Sequence, residues 1–311
     1  VPSALVTGGA GFIGSHLVRA LLREGTSVRV LDDLSSGSEA NLEGVEVDFV
    51  RGDVCDRRRV AAAVEGVNRV FHTAAFISVP ESFTDPRRCY EVNVLGTLTV
   101  LDEARRAGVG KVILSSSCAV YGEHDLRVAE GAELRGGSPY AESKIAMERV
   151  GALFGVPTLA LRYFNVYGPH QSPTGAYAAV IPAWGNALLH GTSPTIYGDG
   201  GQTRDFIFVE DAVHANLLAS ESSLGDGRAF NIGSGAPISI LELAQKLQRL
   251  IPDALEFIHA PARPGDLRAS QADIRAAEEQ LGFHPQVGLT EGLAATVEWL
   301  RQRDATGTYR G

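Results

Sequence analysis

The chain of 311 residues reads as an α/β protein: a doubly wound parallel sheet joined to a smaller mixed α/β substrate lobe. Three observations predict this class. Apolar, β-rich runs alternate with helical patterns from Ser3 to Tyr163. A glycine-rich turn, Thr7-Gly8-Gly9-Ala10-Gly11-Phe12-Ile13-Gly14, separates the first strand from the first helix. After Asn165 the texture changes, and Pro, Gly and aromatic residues punctuate shorter elements, as in Tyr197-Gly198-Asp199-Gly200-Gly201.

Ser3–Thr7 is predicted as a buried strand and Phe12–Arg23 as the helix after the glycines. Further strands are expected over 27–31, 45–50, 69–73, 111–115 and Thr158–Tyr163. Helices fall between them near Arg57–Val64, 86–107 and 139–154, and such crossovers cover both faces of a parallel sheet. Residues 74–80, after the fourth strand, read as a loop. In the second half, helices are expected near 178–190, 209–220, Ile240–Leu250 and 290–303, with strands around Thr195, Phe206 and Phe230. The division is a dinucleotide-binding domain over 1–168 and a substrate lobe over 169–311, with some segments returning to the first domain. No repeat or low-complexity linker separates them, so the lobe is expected to pack over the carboxyl edge of the sheet.

Hydrophobic residues make up 44% of the chain and charged residues 21%, which supports a sizeable core. The net charge of −9, without a Lys/Arg block, argues against nucleic acid or an anionic membrane as partner. Three scattered cysteines, Cys55, Cys89 and Cys118, have no metal-ligand spacing and fit a reduced cytoplasmic protein. No apolar run approaches the roughly 18 residues of a membrane span, and a strand pattern at the first residues leaves no room for a signal peptide. No metal site is expected.

The glycine turn lies between a strand and a helix, the context in which Gly8, Gly9, Gly11 and Gly14 let the backbone approach a pyrophosphate. Asp32 ends the second strand about twenty residues on, where a carboxylate accepts from a ribose 2′-OH and repels a 2′-phosphate. The reading is a Rossmann-type site for NAD in preference to NADP. Asp53 and Val54 would flank adenine, and Ala74 and Ala75 would line the cofactor channel. Tyr140 and Lys144 lie one turn apart on a helix, and Ser117 stands just beyond the fifth strand. A tyrosine acts as a base near neutral pH only if its pKa falls by about 3 units, which a nearby ammonium and a cationic nicotinamide favour. His72 reads as a satisfied core histidine, Cys118 as packing, and Trp184 and Trp299 as core residues.

Together with Ser115-Ser116-Ser117-Cys118-Ala119-Val120-Tyr121-Gly122, these motifs make the chain resemble the extended short-chain dehydrogenase/reductases. Within them it is similar to the NAD-dependent UDP-sugar 4-epimerases, over essentially the whole chain. Further matching segments are Glu91-Val92-Asn93-Val94-Leu95-Gly96-Thr97, Arg162-Tyr163-Phe164-Asn165, Thr203-Arg204-Asp205-Phe206 and Arg263-Pro264-Gly265-Asp266. The resemblance implies Ser117, Tyr140 and Lys144 as the catalytic three. It implies cofactor contacts from Gly8, Gly11, Phe12, Ile13, Gly14, Asp32, Asp33, Ser35, Ser36 and Gly37. Asp53, Val54, Ala74, Ala75, Asn93, Ser115, Tyr140, Lys144 and Tyr163 complete that set. Asn165, Arg204, Arg263 and Asp266 would hold a uridine diphosphate, with Tyr197 on the uracil. Ser78, Ser117, Ala179, Val180 and Ser270 would face the sugar.

The implied reaction is redox-neutral: hydride leaves C4, the 4-keto sugar turns over in the pocket, and hydride returns to the other face. Related dehydratases and decarboxylases carry acidic residues just after the catalytic Ser/Thr, where Cys118 and Ala119 stand here. A UDP-glucuronate 4-epimerase is the alternative: it would want a further cation, relatives of that type carry Arg where His170-Gln171 stands here, and Arg268 could serve in its place. A catalytically inactive protein of the same fold is the alternative of another class. Ser270, where hexose-restricted relatives have Tyr, implies a pocket open to an N-acetyl group. The segment 175–182 also resembles the N-acetylhexosamine type, and the family implies a homodimer through helices 86–107 and 139–154.

Overall fold

The computed structural model describes residues 3–124, 127–175, 178–262 and 267–306. Its first half runs β1 (Ser3–Thr7), α1 (Phe12–Arg23), β2 (Ser27–Asp32), β3 (Asp48–Arg51), α2 (Arg57–Val64) and β4 (Arg69–His72). Then follow α3 (Val79–Thr84), α4 (Pro86–Tyr90), a π-helical turn (Glu91–Gly96), α5 (Thr97–Ala107), β5 (Lys111–Ser117), α6 (Pro139–Leu153) and β6 (Thr158–Tyr163). The second half contains β7 (Val166–Tyr167), α7 (Val180–Leu189), β8 (Thr195–Tyr197), β9 (Thr203–Arg204), β10 (Ile207–Phe208) and α8 (Val209–Glu221). It ends with β11 (Asp226–Ile232), β12 (Ile238–Ser239), α9 (Ile240–Leu250), β13 (Ile258–Ala260), α10 (Arg275–Leu281) and α11 (Leu289–Thr306).

Seven strands form one parallel sheet in the order β11-β6-β5-β4-β1-β2-β3. The chain reverses its winding direction between β1 and β4, the switch point where open α/β sheets leave a crevice at the carboxyl edge. Helices α1, α8 and α10 bury one face with Leu17, Leu21, Ala215 and Ala277; α2, α5 and α6 bury the other with Val60, Leu101 and Met147. Thus α8 and β11, from the second half of the chain, complete the sheet layer of the first. A separate core around Trp184, Leu188, Ile196, Phe206 and Leu243 holds the lobe, and Phe12 and Ile13 at the start of α1 pack against it.

Four expectations need correction. The third strand begins at Asp48 and not at residue 45, because Val45 and Val47 pack sideways on the core without pairing. The loop expected over 74–80 ends in α3, where the Ser78 hydroxyl caps Glu81 N at 3.2 Å and Pro80 fits the first turn. The helix expected over 86–107 is interrupted by a π-helical turn. Trp184 is core, edge-on to Phe257 at 4.7 Å between centroids, whereas Trp299 is half-buried against His170.

Candidate active site

A cleft of about 440 Å³ opens at the carboxyl ends of β1, β2, β4 and β5. Its floor is the glycine turn. A side chain at Gly8, whose φ is +69°, would meet Ala74 N at 2.6 Å, and one at Gly14 would meet Gly8 O at 2.1 Å. Those two glycines keep the turn closed on its neighbours. Gly11 caps α1 with no side chain bonded to the first turn, so free helix N–H groups face the cleft. Phe12 and Ile13 continue this wall.

Asp32 is 6% exposed at the end of β2 and accepts from Ala10 N at 2.9 Å and Leu34 N at 2.8 Å. Burial raises its pKa, and the two N–H groups only partly oppose that. Asp33, Ser35 and Ser36 extend the rim, with the Ser35 hydroxyl donating to Asp33 Oδ1 at 2.6 Å. Asp53 and Val54 stand opposite, and Ala74, Ala75, Ser78, Ser115 and Tyr163 line the inner wall. A helix terminus free for a diphosphate and a carboxylate at the end of the neighbouring strand, both lining one cleft, fit a dinucleotide. Two expected contacts have other work. Gly37 backs onto the glycine turn, where a side chain would meet Ala10 at 2.8 Å, and it is absent from the cleft wall. Asn93 is 1% exposed: its amide accepts from Phe76 N at 2.8 Å and donates to Phe76 O at 3.0 Å and Ser143 Oγ at 2.9 Å. It pins the loop after β4 to α6 and is not among the residues lining the cleft.

Ser117, Tyr140 and Lys144 converge at the inner end. The β5 strand delivers Ser117, whose hydroxyl accepts from Ala119 N at 3.2 Å and lies close enough to the Tyr140 phenol to favour its ionised form. Helix α6, capped by Ser138, carries Tyr140 and Lys144 on one face. Lys144 is 3% exposed; its Nζ donates to Ser115 O at 2.8 Å and lies 5.8 Å from the Tyr140 ring centroid. Burial pushes the Tyr140 phenol up to about 12 and the Lys144 ammonium down to about 8. Beneath them, Glu148 joins the Arg162 guanidinium at 2.7 Å and the Ser116 hydroxyl in a buried network that fixes α6 on the sheet.

His72 is enclosed, with its ring nitrogens 2.8 Å from Thr7 Oγ1 and 2.9 Å from Thr97 Oγ1, and burial lowers its pKa to about 3. It is a neutral core residue. Cys118 packs among Val120, Tyr121 and Phe164, and burial pushes its thiol up to about 11.

Beyond the cleft, Asn165, Arg204 and the segment carrying Ser270 gather around Asp205. That buried carboxylate accepts from Ser234 N at 2.7 Å, Ser234 Oγ at 2.6 Å, Gly235 N at 3.0 Å and Ala272 N at 2.9 Å. Asn165 Nδ2 donates to Asp205 O at 2.9 Å, and the Asn165 backbone also reaches Cys118, next to Ser117. Arg204 donates to Thr203 O at 2.8 Å and Leu267 O at 2.7 Å, which draws 267–272, with half-buried Ser270, to the same place. Ala179 caps α7, which starts at Val180, and half-buried Tyr197 ends β8. Arg263, Asp266 and the middle of 175–182 lie outside the described residues. Arg88, Thr73, Phe76, Ile77 and Glu81 line the cleft without having been expected there. Arg88 sits in an Arg87-Arg88 pair that reads as a solvated helix face, so its sequence carried no signal. Among the described residues no cluster suited to a metal ion occurs.

The family model for the NAD dependent epimerase/dehydratase family matches residues 4–233. A UDP-glucose 4-epimerase of Mycolicibacterium smegmatis is 42% identical, over 96% of this chain and 98% of its own. A solved UDP-N-acetylglucosamine 4-epimerase of Methanobrevibacter ruminantium, in complex with UDP-N-acetylmuramic acid, is 36% identical with a TM-score of 0.92, covering 97% of this chain and 99% of that one. A Thermus thermophilus UDP-glucose 4-epimerase in complex with NAD is 38% identical with a TM-score of 0.88, covering 96% and 99%. The chain therefore belongs to the NAD dependent epimerase/dehydratase family, as an enzyme of the extended short-chain dehydrogenase/reductase type with NAD as its cofactor.

Proposed function

We propose that this UDP-sugar 4-epimerase interconverts UDP-GlcNAc and UDP-GalNAc, and also takes UDP-Glc and UDP-Gal. The observation that carries the finer reading is Ser270, a small side chain beside Ala269 in the segment that Arg204 and Asp205 hold against the lobe. A smaller C2 substituent fits a pocket built for a larger one, so both substrate classes enter.

Tyr140, as phenolate, takes the proton from O4′ and returns it after the 4-keto sugar has turned over. Ser117 hydrogen-bonds the same oxygen and holds the phenol in line. Lys144 keeps its proton below about pH 8 and favours the phenolate by its charge. When bound, NAD⁺ would supply the acceptor and donor for the C4 hydride, and the charge of its ring would add to that stabilisation. Gly8, Gly11, Gly14, Asp32, Asp33, Ser35, Ser36, Asp53 and Val54 would hold it, with Ala74 and Ala75 along the channel. Asn165, Arg204 and Tyr197 are assigned to the uridine diphosphate, which they retain while the sugar rotates. The uronate alternative lacks its cation: Arg268 is bound to Asp199 at 2.8 Å, and His170, packed on His16 and Trp299, is pushed down to about 4 by burial. The inactive alternative is disfavoured by the intact Ser117, Tyr140 and Lys144.

The test is a panel of UDP-Glc, UDP-Gal, UDP-GlcNAc, UDP-GalNAc and UDP-GlcA, incubated with the enzyme and no added oxidant. Both neutral pairs should equilibrate and UDP-GlcA should not. Ser270→Tyr should lose the N-acetyl pair selectively, by about tenfold or more, because overfilling a packed pocket costs roughly 1–3 kcal/mol. Wild type without N-acetyl activity, or equal loss of both pairs in the variant, contradicts the assignment.

We further place the enzyme in the cytoplasm, on its three unpaired thiols, and assign it a homodimer. No helix among the described residues is long and apolar enough to cross a membrane. Phe83, Tyr90, Leu95 and Leu153 are 61%, 40%, 54% and 84% exposed along α3 to α6, an apolar surface suited to a two-fold partner. A monomer in sedimentation at micromolar concentration would refute the dimer.

A further inference from the structure

The cofactor cleft has a cation at its outer rim that neither the glycine turn nor Asp32 explains. Arg88, on α4, reaches across to the loops after β2 and β3. Its Nη2 lies 2.7 Å from Asp53 Oδ2 and 3.9 Å from Asp33 Oδ2, and all three side chains line the cleft. Asp53 is set to receive it: Oδ1 accepts from Cys55 N at 2.8 Å, leaving Oδ2 for the guanidinium. Burial pushes the Asp53 carboxyl up, but Cys55 N–H and Arg88 outweigh it and leave the carboxyl below its usual range. The loop is tied to the same helix a second time, through Cys55 Sγ and Glu91 O at 3.3 Å.

Five residues further along this helical stretch, Asn93 pins Phe76 and Ser143. One stretch, α4 with its π-helical turn, therefore grips both sides of the cleft: the rim at Asp33 and Asp53, and the inner loop at Phe76. A redox-neutral enzyme has no need to exchange its dinucleotide between turnovers, so a device that slows release fits its cycle.

We propose that Arg88, held by Asp53 and Asp33, is a clasp across the adenosine end of the cleft that retains bound NAD. Its planar guanidinium presents a flat cationic face to the adenine, and its charge offsets the two carboxylates beside an anionic dinucleotide. The inference rests on the family's use of NAD.

The test follows release of NAD, and separately of ADP-ribose, from the loaded enzyme after dilution. Arg88→Met should release both faster by the same factor, about five- to tenfold, as expected for a partly exposed ion pair together with a lost stacking face. Arg88→Lys, which keeps the charge but not the fork, should fall between. Adding Arg88→Met to Asp53→Asn should cost little more than Asp53→Asn alone, because the two act as a unit. Wild-type release from Arg88→Met overturns the clasp. So does faster release of NAD with ADP-ribose unchanged, which would mean that the variant acts through the Phe76 loop. A wild-type enzyme that binds ADP-ribose and NAD not at all would instead count against the cofactor assignment itself.

Discussion

The two ends of the site are built by different means. At the cofactor end, strands in register carry residues to the sheet edge, and glycines close the turn by having no side chain. At the end proposed for the sugar, segments 234–235 and 272 meet on the buried Asp205 carboxylate, and Asn165 holds the same residue's backbone carbonyl. The first is a ladder of regularly paired strands, in which many parallel contacts share the load. The second depends on a keystone, because a buried N–H without an acceptor loses its full desolvation energy. The proposed catalytic residues lie where they meet, on β5 and the first two turns of α6.

The largest effect should come from the junction. Tyr140→Phe removes one hydroxyl and no packing volume, so epimerisation should fall by about 10²–10⁴-fold while NAD binding stays within about twofold. Sugar interconversion and NAD titration check it on the same preparation. Near-normal turnover would show that another group moves the proton.

Next comes the keystone. Asp205→Ala strands the N–H groups of Ser234, Gly235 and Ala272, and should cost about 3 kcal/mol of stability in a molecule with few ways to rehydrate them. UDP-sugar affinity should fall by much more than NAD affinity. Equal losses at both sites would mean that the two ends are not held independently. Asp32→Asn probes the ladder end more gently. Ala10 N and Leu34 N are both bonded to it, and Asn retains an acceptor for only one. Preference for NAD over NADP should shrink by about tenfold, since a neutral amide no longer repels a 2′-phosphate. An unchanged ratio would move the discrimination elsewhere.

The same contrast explains what was legible in the sequence. The bounds of β1, α1, α2, β6 and α9 follow from their apolar period and their caps, such as Asp56 on Arg58 N and the Ser239–Glu242 capping box. The helix after Ser78 is signalled by Ser78 and Glu81 three residues apart, a short cap pattern with only six helical residues behind it and therefore no apolar period to support it. The π-helical turn has no local signature, since it arises from packing Asn93 against Phe76 and Ser143. The Asp205 assembly and Arg88 were unreadable for one reason: each joins residues distant in sequence through single polar contacts that follow no period. Motif resemblance drew attention to Arg204-Asp205, while their geometry appears only in the fold.

The smallest effect is one of pH, and it separates the proposed roles of Tyr140 and Lys144. Burial lowers the Lys144 ammonium to about 8. Its charge is therefore intact at neutral pH and is lost as pH rises through that value. Tyr140, pushed up to about 12, does not titrate in this range by itself. Once Lys144 is neutral, it no longer favours the phenolate, so kcat should fall about twofold at the Lys144 midpoint and about tenfold one pH unit above it. Lys144→Arg should be slower at every pH, because the guanidinium cannot reproduce the single short contact to Ser115 O. It keeps its charge throughout, however, and its residual rate should show no alkaline decline between about pH 7 and 9. A decline of the same shape in the variant would assign the titration to a group other than Lys144. A flat profile in the wild type would mean that bound cofactor, and not the ammonium, sets the proton affinity of Tyr140.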